Sequence, residues 1–169
     1  AWRATDAGRR NPTPVPEDPA WIAWRAEQVT ALLVRLRGAL NSACPAVRIS
    51  VSPNPQEFSY SHYLADWSTW VRRGLVDEVV VQIYRNNLAA LGRELGHPSL
   101  AEAAQRVPVR IGLLAGLRSQ PKEPAQLRRE LDFVLGRGYR GIDLFFYESA
   151  RPHFESFPAR EADEAVGSG

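Results

Sequence analysis

The chain has 169 residues, 44% hydrophobic and 24% charged, with a formal net charge of +2. That balance suits one modest globular core, and no apolar run approaches the length of a membrane helix. A single cysteine, Cys44, excludes an internal disulfide and a cysteine-built metal site, and basic residues interleaved with acids argue against a nucleic-acid-binding stripe.

The first patterned segment runs from Trp21 to Leu40, where Trp21, Trp24, Val29, Leu32, Leu33, Leu36 and Leu40 fall at helical spacing. Asp18-Pro19 supplies a cap and a first-turn proline. VRISVS from Val47 then alternates apolar and polar residues as a strand does. It opens into PNPQEFSYSHY, read as a polar and aromatic loop. Leu64, Trp67, Trp70 and Val71 mark a short helix ending at Gly74. EVVVQIY from Glu78 is a second strand. Leu88 to Leu95 and Leu100 to Val107 are helical, broken by Gly96-His97-Pro98. VRIGLLAGL from Val109 is a third strand, Ala125 to Leu135 a helix, and GIDLFFYES from Gly141 a fourth strand. Beyond Pro152 the pattern fades, and residues 153–169 read as a flexible tail.

The four strand starts are separated by 31, 31 and 32 residues. That is the length of a strand, a helix and two loops, so the strands are predicted to be parallel. Two architectures fit: a (β/α) barrel, and a small open doubly wound sheet. No glycine-rich phosphate loop follows any strand, which argues against a nucleotide site. In both folds the working rim lies at the C-terminal strand ends. The ends are SVSPNP, QIYRNN, LAGLRS and FFYESA. They gather Ser52, Asn54, Gln82, Tyr84, Arg85, Asn86, Arg118, Tyr147 and Glu148 on one rim. The chain begins at Ala1 and contains no methionine, which reads as a piece of a longer protein.

Taken together, WIAWRAEQVTALLVRLRGAL, PAVRISVSPNP, YLADWSTWVRRGLVDEVVVQIYR, VRIGLLAGL and FFYES resemble the glycosyl hydrolase-like 10 family, bacterial and often cyanobacterial. The resemblance runs from about Asp18 to Ser149. It implies a TIM-type (β/α)8 barrel of which this chain is the C-terminal half, strands five to eight. Residues 1–17 are then a loop remnant after the fourth strand, and 18–152 a partial barrel. It also implies a glycan or oligosaccharide ligand, a place at the cell envelope or outside the cytoplasm, and acids near the end of the fourth strand that lie upstream of Ala1.

Glycoside hydrolysis commonly needs two carboxyl groups flanking the bond, about 5–5.5 Å apart for retention and about 6.5–9.5 Å for inversion. This chain offers Glu148 as the catalytic candidate, acting as general acid or nucleophile with an acid from the missing half. The other reading pairs Glu148 with Arg85 or Arg118. Asp143 is expected in an ion pair with Arg110 or Arg48, Asp77 at the wrong face for chemistry, and Asp66 in the first turn of its helix. Ser52, Asn54, Tyr60, Gln82, Tyr84, Arg85 and Tyr147 are the candidate sugar contacts. Gln82 and Tyr84 share a strand face by the period of two. His62 and Tyr63 are further candidates at the mouth, and Glu57 a weaker one on the same loop. Trp21, Trp24, Trp67 and Trp70 read as core. No metal spacing links the three histidines, and no cofactor is expected. The competing function is a carbohydrate-binding or scaffold domain that has lost the acid pair.

Overall fold

The computed structural model describes residues 1–117, 120–139 and 141–154. Arg118 and residues 155–169 of the expected tail lie outside them. A 3-10 turn at Trp2–Ala4 and a short helix α1 (Asp6–Arg10) precede α2 (Pro19–Ala43). The chain continues through β1 (Ser50–Val51), α3 (Gln56–Tyr63), α4 (Trp67–Arg72), β2 (Glu78–Gln82), α5 (Leu88–Leu95) and α6 (Pro98–Ala104). After β3 (Val109–Leu114) come a small hairpin of β4 (Gly116–Leu117) and β5 (Gln120–Pro121), then α7 (Pro124–Gly136), β6 (Gly141–Phe145) and α8 (Tyr147–Phe154).

β1, β2, β3 and β6 form one parallel sheet in that spatial order. Strands therefore lie beside their sequence neighbours, as around a barrel wall. A doubly wound sheet would instead reverse its order at a switch point. The mixed α/β architecture with four parallel strands is that of a partial TIM-type barrel.

One sheet face carries the helices. Val79, Val81, Ile83, Ile111 and Leu113 are buried there against Trp67, Trp70, Leu91, Leu95 and Val134. Each such side chain contributes about 1.5–3 kcal/mol by leaving water. Two indoles also satisfy their N–H groups: Trp70 donates to the Thr30 hydroxyl at 2.9 Å, and Trp67 to the Asn54 carbonyl at 3.1 Å. The predicted cap holds as well, because the Asp18 carboxylate accepts from the Ala20 and Trp21 N–H groups that open α2. Asp66 caps α4 by accepting from the Thr69 N–H.

Four local expectations are corrected. The first strand is reduced to Ser50–Val51 because a turn bond from the Val47 N–H to the Cys44 carbonyl keeps Val47 out of it. The aromatic loop after it is the helix α3, ended by Leu64 at φ 60. The third strand does not run on through GLLAGL. Gly116, at φ 144, folds the chain back into the hairpin, and a Cβ there would lie 2.5 Å from the Gln120 carbonyl oxygen. FFYES is not strand throughout: β6 stops at Phe145, and Tyr147 starts α8.

Candidate functional site

Among the described residues no helix covers the second sheet face. By alternation it presents Glu78, Gln82, Arg110, Gly112, Asp143 and Phe145, all on strands whose intervening residues are in the core. Toward the strand starts this face is charged. Arg110 donates from Nε to Asp143 Oδ2 at 2.6 Å and from Nη2 to Oδ1 at 3.1 Å. Its side chain lies across Gly141, where a Cβ would fall 2.6 Å from Arg110 Cγ. The bidentate bond holds the Arg110 guanidinium more firmly protonated than usual. The expected Asp143 ion pair is therefore present, half-exposed on the open face. Ser50 donates to Glu78 at 2.8 Å nearby.

Toward the C-terminal ends the face turns polar and aromatic. Gln82 Nε2 donates to the Ser52 carbonyl at 2.7 Å and to its hydroxyl at 3.2 Å, joining the ends of β1 and β2. Tyr84 stacks on Phe145 with ring centroids 5.7 Å apart and planes 3° from parallel. Partial burial pushes the Tyr84 phenol above its ordinary value, so it stays a neutral donor. Ser52, Gln82, Tyr84 and Phe145 thus form a row of donors, acceptors and ring surface on the rim.

The remaining candidates lie elsewhere. Asn54 and Arg85 face a separate cleft of about 370 Å³ between α3 and α5, with Pro55, Glu57, Phe58 and Glu94. Arg85 is held there by Glu94, its Nη2 2.5 Å from Oε1, and not by Glu148. Tyr60 sits half-buried on α3. Tyr147 and Glu148 open α8, exposed to solvent. Among the described residues, no hydrogen bond or ion pair ties Glu148 to another side chain. The Asn86 carbonyl accepts from Gln126 at 3.2 Å.

Asp77, at the start of β2, is engaged in structure. It pairs with Arg37 of α2 through both oxygens and accepts the Ile49 N–H at 2.7 Å. These donors hold its carboxyl down at about 2. Trp67 and Trp70 are core, as their spacing predicts. Trp21 and Trp24 are not: they stack 5.1 Å apart near the start of α2, with Trp2 edge-on at 5.0 and 5.9 Å. Arg25 closes that cluster, lying over the Trp21 ring and donating to the Pro16 carbonyl at 2.7 Å.

Two aromatic residues, one on the rim and one at the cleft, were missed in the sequence. Phe145 shares the parity of Asp143 and so was legible as an open-face residue. Phe58 was not, because its partners depend on α3 being a helix: it stacks on His62 at 4.2 Å and meets Tyr63 at 5.6 Å. A cavity of about 750 Å³ lies at the opposite end, beside the strand starts at Glu78, Val109 and Gly141. In barrels of this type that end carries stability and not chemistry. Among the described residues no group of three or more His, Cys, Asp or Glu is placed to hold a metal ion, and no helix is long and apolar enough to cross a membrane.

Comparison with known proteins places this geometry. The chain superposes on the PgaB (BpsB) glycoside hydrolase domain from Bordetella bronchiseptica with a TM-score of 0.63 at 12% identity. The match covers 92% of this chain and 44% of that one, so the chain spans under half of the solved domain. At that identity the likeness concerns the fold. A comparison with curated proteins finds no match. The model of the glycosyl hydrolase-like 10 family matches residues 4–134. That stretch includes α2 to α6, most of α7 and the first three strands of the sheet, and the chain belongs to the glycosyl hydrolase-like 10 family.

Proposed function

We propose that the open sheet face is one wall of a glycan-binding barrel interior, and that the full domain acts on a cell-envelope or extracellular glycan. The observation that carries this reading is the rim row of Ser52, Gln82, Tyr84 and Phe145 at the C-terminal strand ends. Sugars need this combination: fixed hydrogen-bond partners for hydroxyls, and a flat apolar surface for the C–H face of the ring. Strands supplied by the rest of the polypeptide would cover the charged layer of Glu78, Arg110 and Asp143 and complete the barrel. The fold likeness supports this, since the solved domain continues well beyond the part this chain matches.

Glu148 is the proposed acid of the pair, working with a carboxylate from the upstream half. The isolated chain is then expected to lack glycosidase activity. Its competitor is a binding domain without hydrolysis. That reading is favoured by one observation: Asp143, the acid at mid-strand on the open face, is already bound to Arg110.

A glycan array with the full-length protein, followed by hydrolysis assays on the captured glycans, separates the readings. Glu148→Gln is expected to lower turnover by about a hundredfold or more, as loss of a general acid does, while Asp77→Asn leaves it near the wild-type value per folded molecule. Equal effects would remove Glu148 from the catalytic role. Capture without turnover would make the domain a binding module.

A further inference from the structure

We infer that the cleft between α3 and α5 is a second saccharide subsite, separate from the open sheet face and specific for uncharged oligosaccharides. The inference rests on the glycan reading above and adds a place for a chain too long for the barrel mouth alone.

Asn54, Pro55, Glu57, Phe58, Arg85 and Glu94 line a cleft of about 370 Å³, within the range of about 300–1,000 Å³ usual for small-molecule sites. One polar wall is already held in place. Arg85 donates from Nε and Nη2 to one Glu94 oxygen and from Nη1 to the Tyr84 carbonyl at 3.0 Å. Glu57 stands 3.5 Å from His97, whose ring in turn contacts the Ser99 hydroxyl at 2.8 Å. A ligand hydroxyl entering here meets the guanidinium and carboxylate of the Arg85–Glu94 pair, already held by each other, and the exposed Glu57 carboxylate at the edge of the cleft.

The apolar side is an exposed ring cluster. Phe58 is 44% exposed and Tyr63 61% exposed, although a helix facing only water has no reason to keep either ring uncovered. Phe58 is braced by His62, stacked on it at 4.2 Å, and by Tyr63, whose ring meets it at 71°, so its orientation is set before a ligand arrives. A rigid ring beside fixed donors and acceptors suits the C–H face of a pyranose at low entropic cost. Glu57, Glu94 and Arg85 give the lining a net charge of −1, which disfavours uronate or sulfated sugars.

The site is also distinct from the rim. Tyr84 turns to the open face and stacks on Phe145, whereas Arg85, the next residue, turns to α5. The alternation of one strand end thereby serves two surfaces.

The test uses full-length protein, calorimetry with cello-, xylo- and chitohexaose, and hexagalacturonate as the anionic comparison. Phe58→Leu keeps apolar bulk and loses the ring; it is expected to weaken the best-bound neutral hexasaccharide by about tenfold. Phe58→Trp restores a ring and is expected to retain the affinity. Glu27→Gln, on the exposed Arg73 pair, serves as the surface control and binds as wild type does. Melting temperatures confirm that each variant is folded. If Tyr84→Ala weakens binding and Phe58→Leu does not, the outer subsite is wrong and the glycan reading survives. If the wild type binds neither the neutral hexasaccharides nor hexagalacturonate, both fall. Tighter binding of hexagalacturonate overturns the assigned ligand class.

Discussion

Asp77 and Asp143 are both strand carboxylates, and each is committed to an arginine. Asp77 is held at about 2 by the Arg37 guanidinium and then by the Ile49 N–H, against an ordinary value of 3.8. A carboxyl depressed in the folded state stabilises the fold above its unfolded pKa. That contribution disappears as pH falls from about 4 toward 2. For a group of this exposure, on the order of 1–2 kcal/mol is involved. Asp77→Asn is therefore expected to cost about 1–2 kcal/mol at neutral pH and to flatten the acid limb of stability. Urea unfolding at about pH 6 and about pH 3 reads both effects. A variant that loses stability with acid in parallel with the wild type would show that the Arg37 pair does not govern this limb. At this scale the sequence was informative wherever strand parity applied. Asp143 was expected to pair with Arg110 or Arg48, and the strand register puts it beside Arg110; Ser52 and Gln82 were expected on one rim, and parallel pairing brings them together there. Arg85 could not be placed in this way, since its partner Glu94 comes from a helix whose rotation about its axis no strand period fixes.

Among the elements, the hairpin of β4 and β5 is the least expected and has the most specific anchor. Lys122, directly after β5, is 9% exposed and Glu130 of α7 only 2%, and they pair at 2.7 Å. Gln126 adds a second donor to Glu130 at 3.1 Å. Removing one partner of a buried pair strands the other charge, whereas replacing both with apolar groups removes the desolvation penalty as well. Glu130→Ala is expected to destabilise by about 3–5 kcal/mol, and Lys122→Met with Glu130→Leu by far less. Chemical denaturation of the two single variants and the double variant measures this. A double variant as unstable as Glu130→Ala would mean that packing, and not charge, is what the pair supplies. Neither hairpin nor pair was visible beforehand: GLLAGL is apolar enough to continue a strand, and only the positive φ of Gly116 turns it back. The helix α3 was hidden for a similar reason. Eight residues mixing aromatics and hydroxyls have no clear period, and Pro55 ahead of it offers no side-chain cap. The long patterned segments behaved differently. α5 begins and ends where its leucines predict, and three of the four main strands start at the expected residue.

For the whole molecule, equal spacing of the strands dictated a sequential parallel sheet, and the family match and the solved fold agree with it. What spacing could not convey is that the sheet has two unlike faces, one sealed by helices and one left polar, charged and aromatic. Nor could it show that the predicted sugar contacts divide between that face and the cleft beyond α3. Both depend on tertiary packing of α3 and α5, which leave only a weak trace in composition. The account stands on the open face at the C-terminal strand ends being where a saccharide sits. The most direct measurement is calorimetric binding of the array-selected oligosaccharide to full-length protein carrying Tyr84→Ala or Gln82→Ala. Each is predicted to weaken binding by about tenfold or more while remaining folded; wild-type affinity in both folded variants would contradict the account.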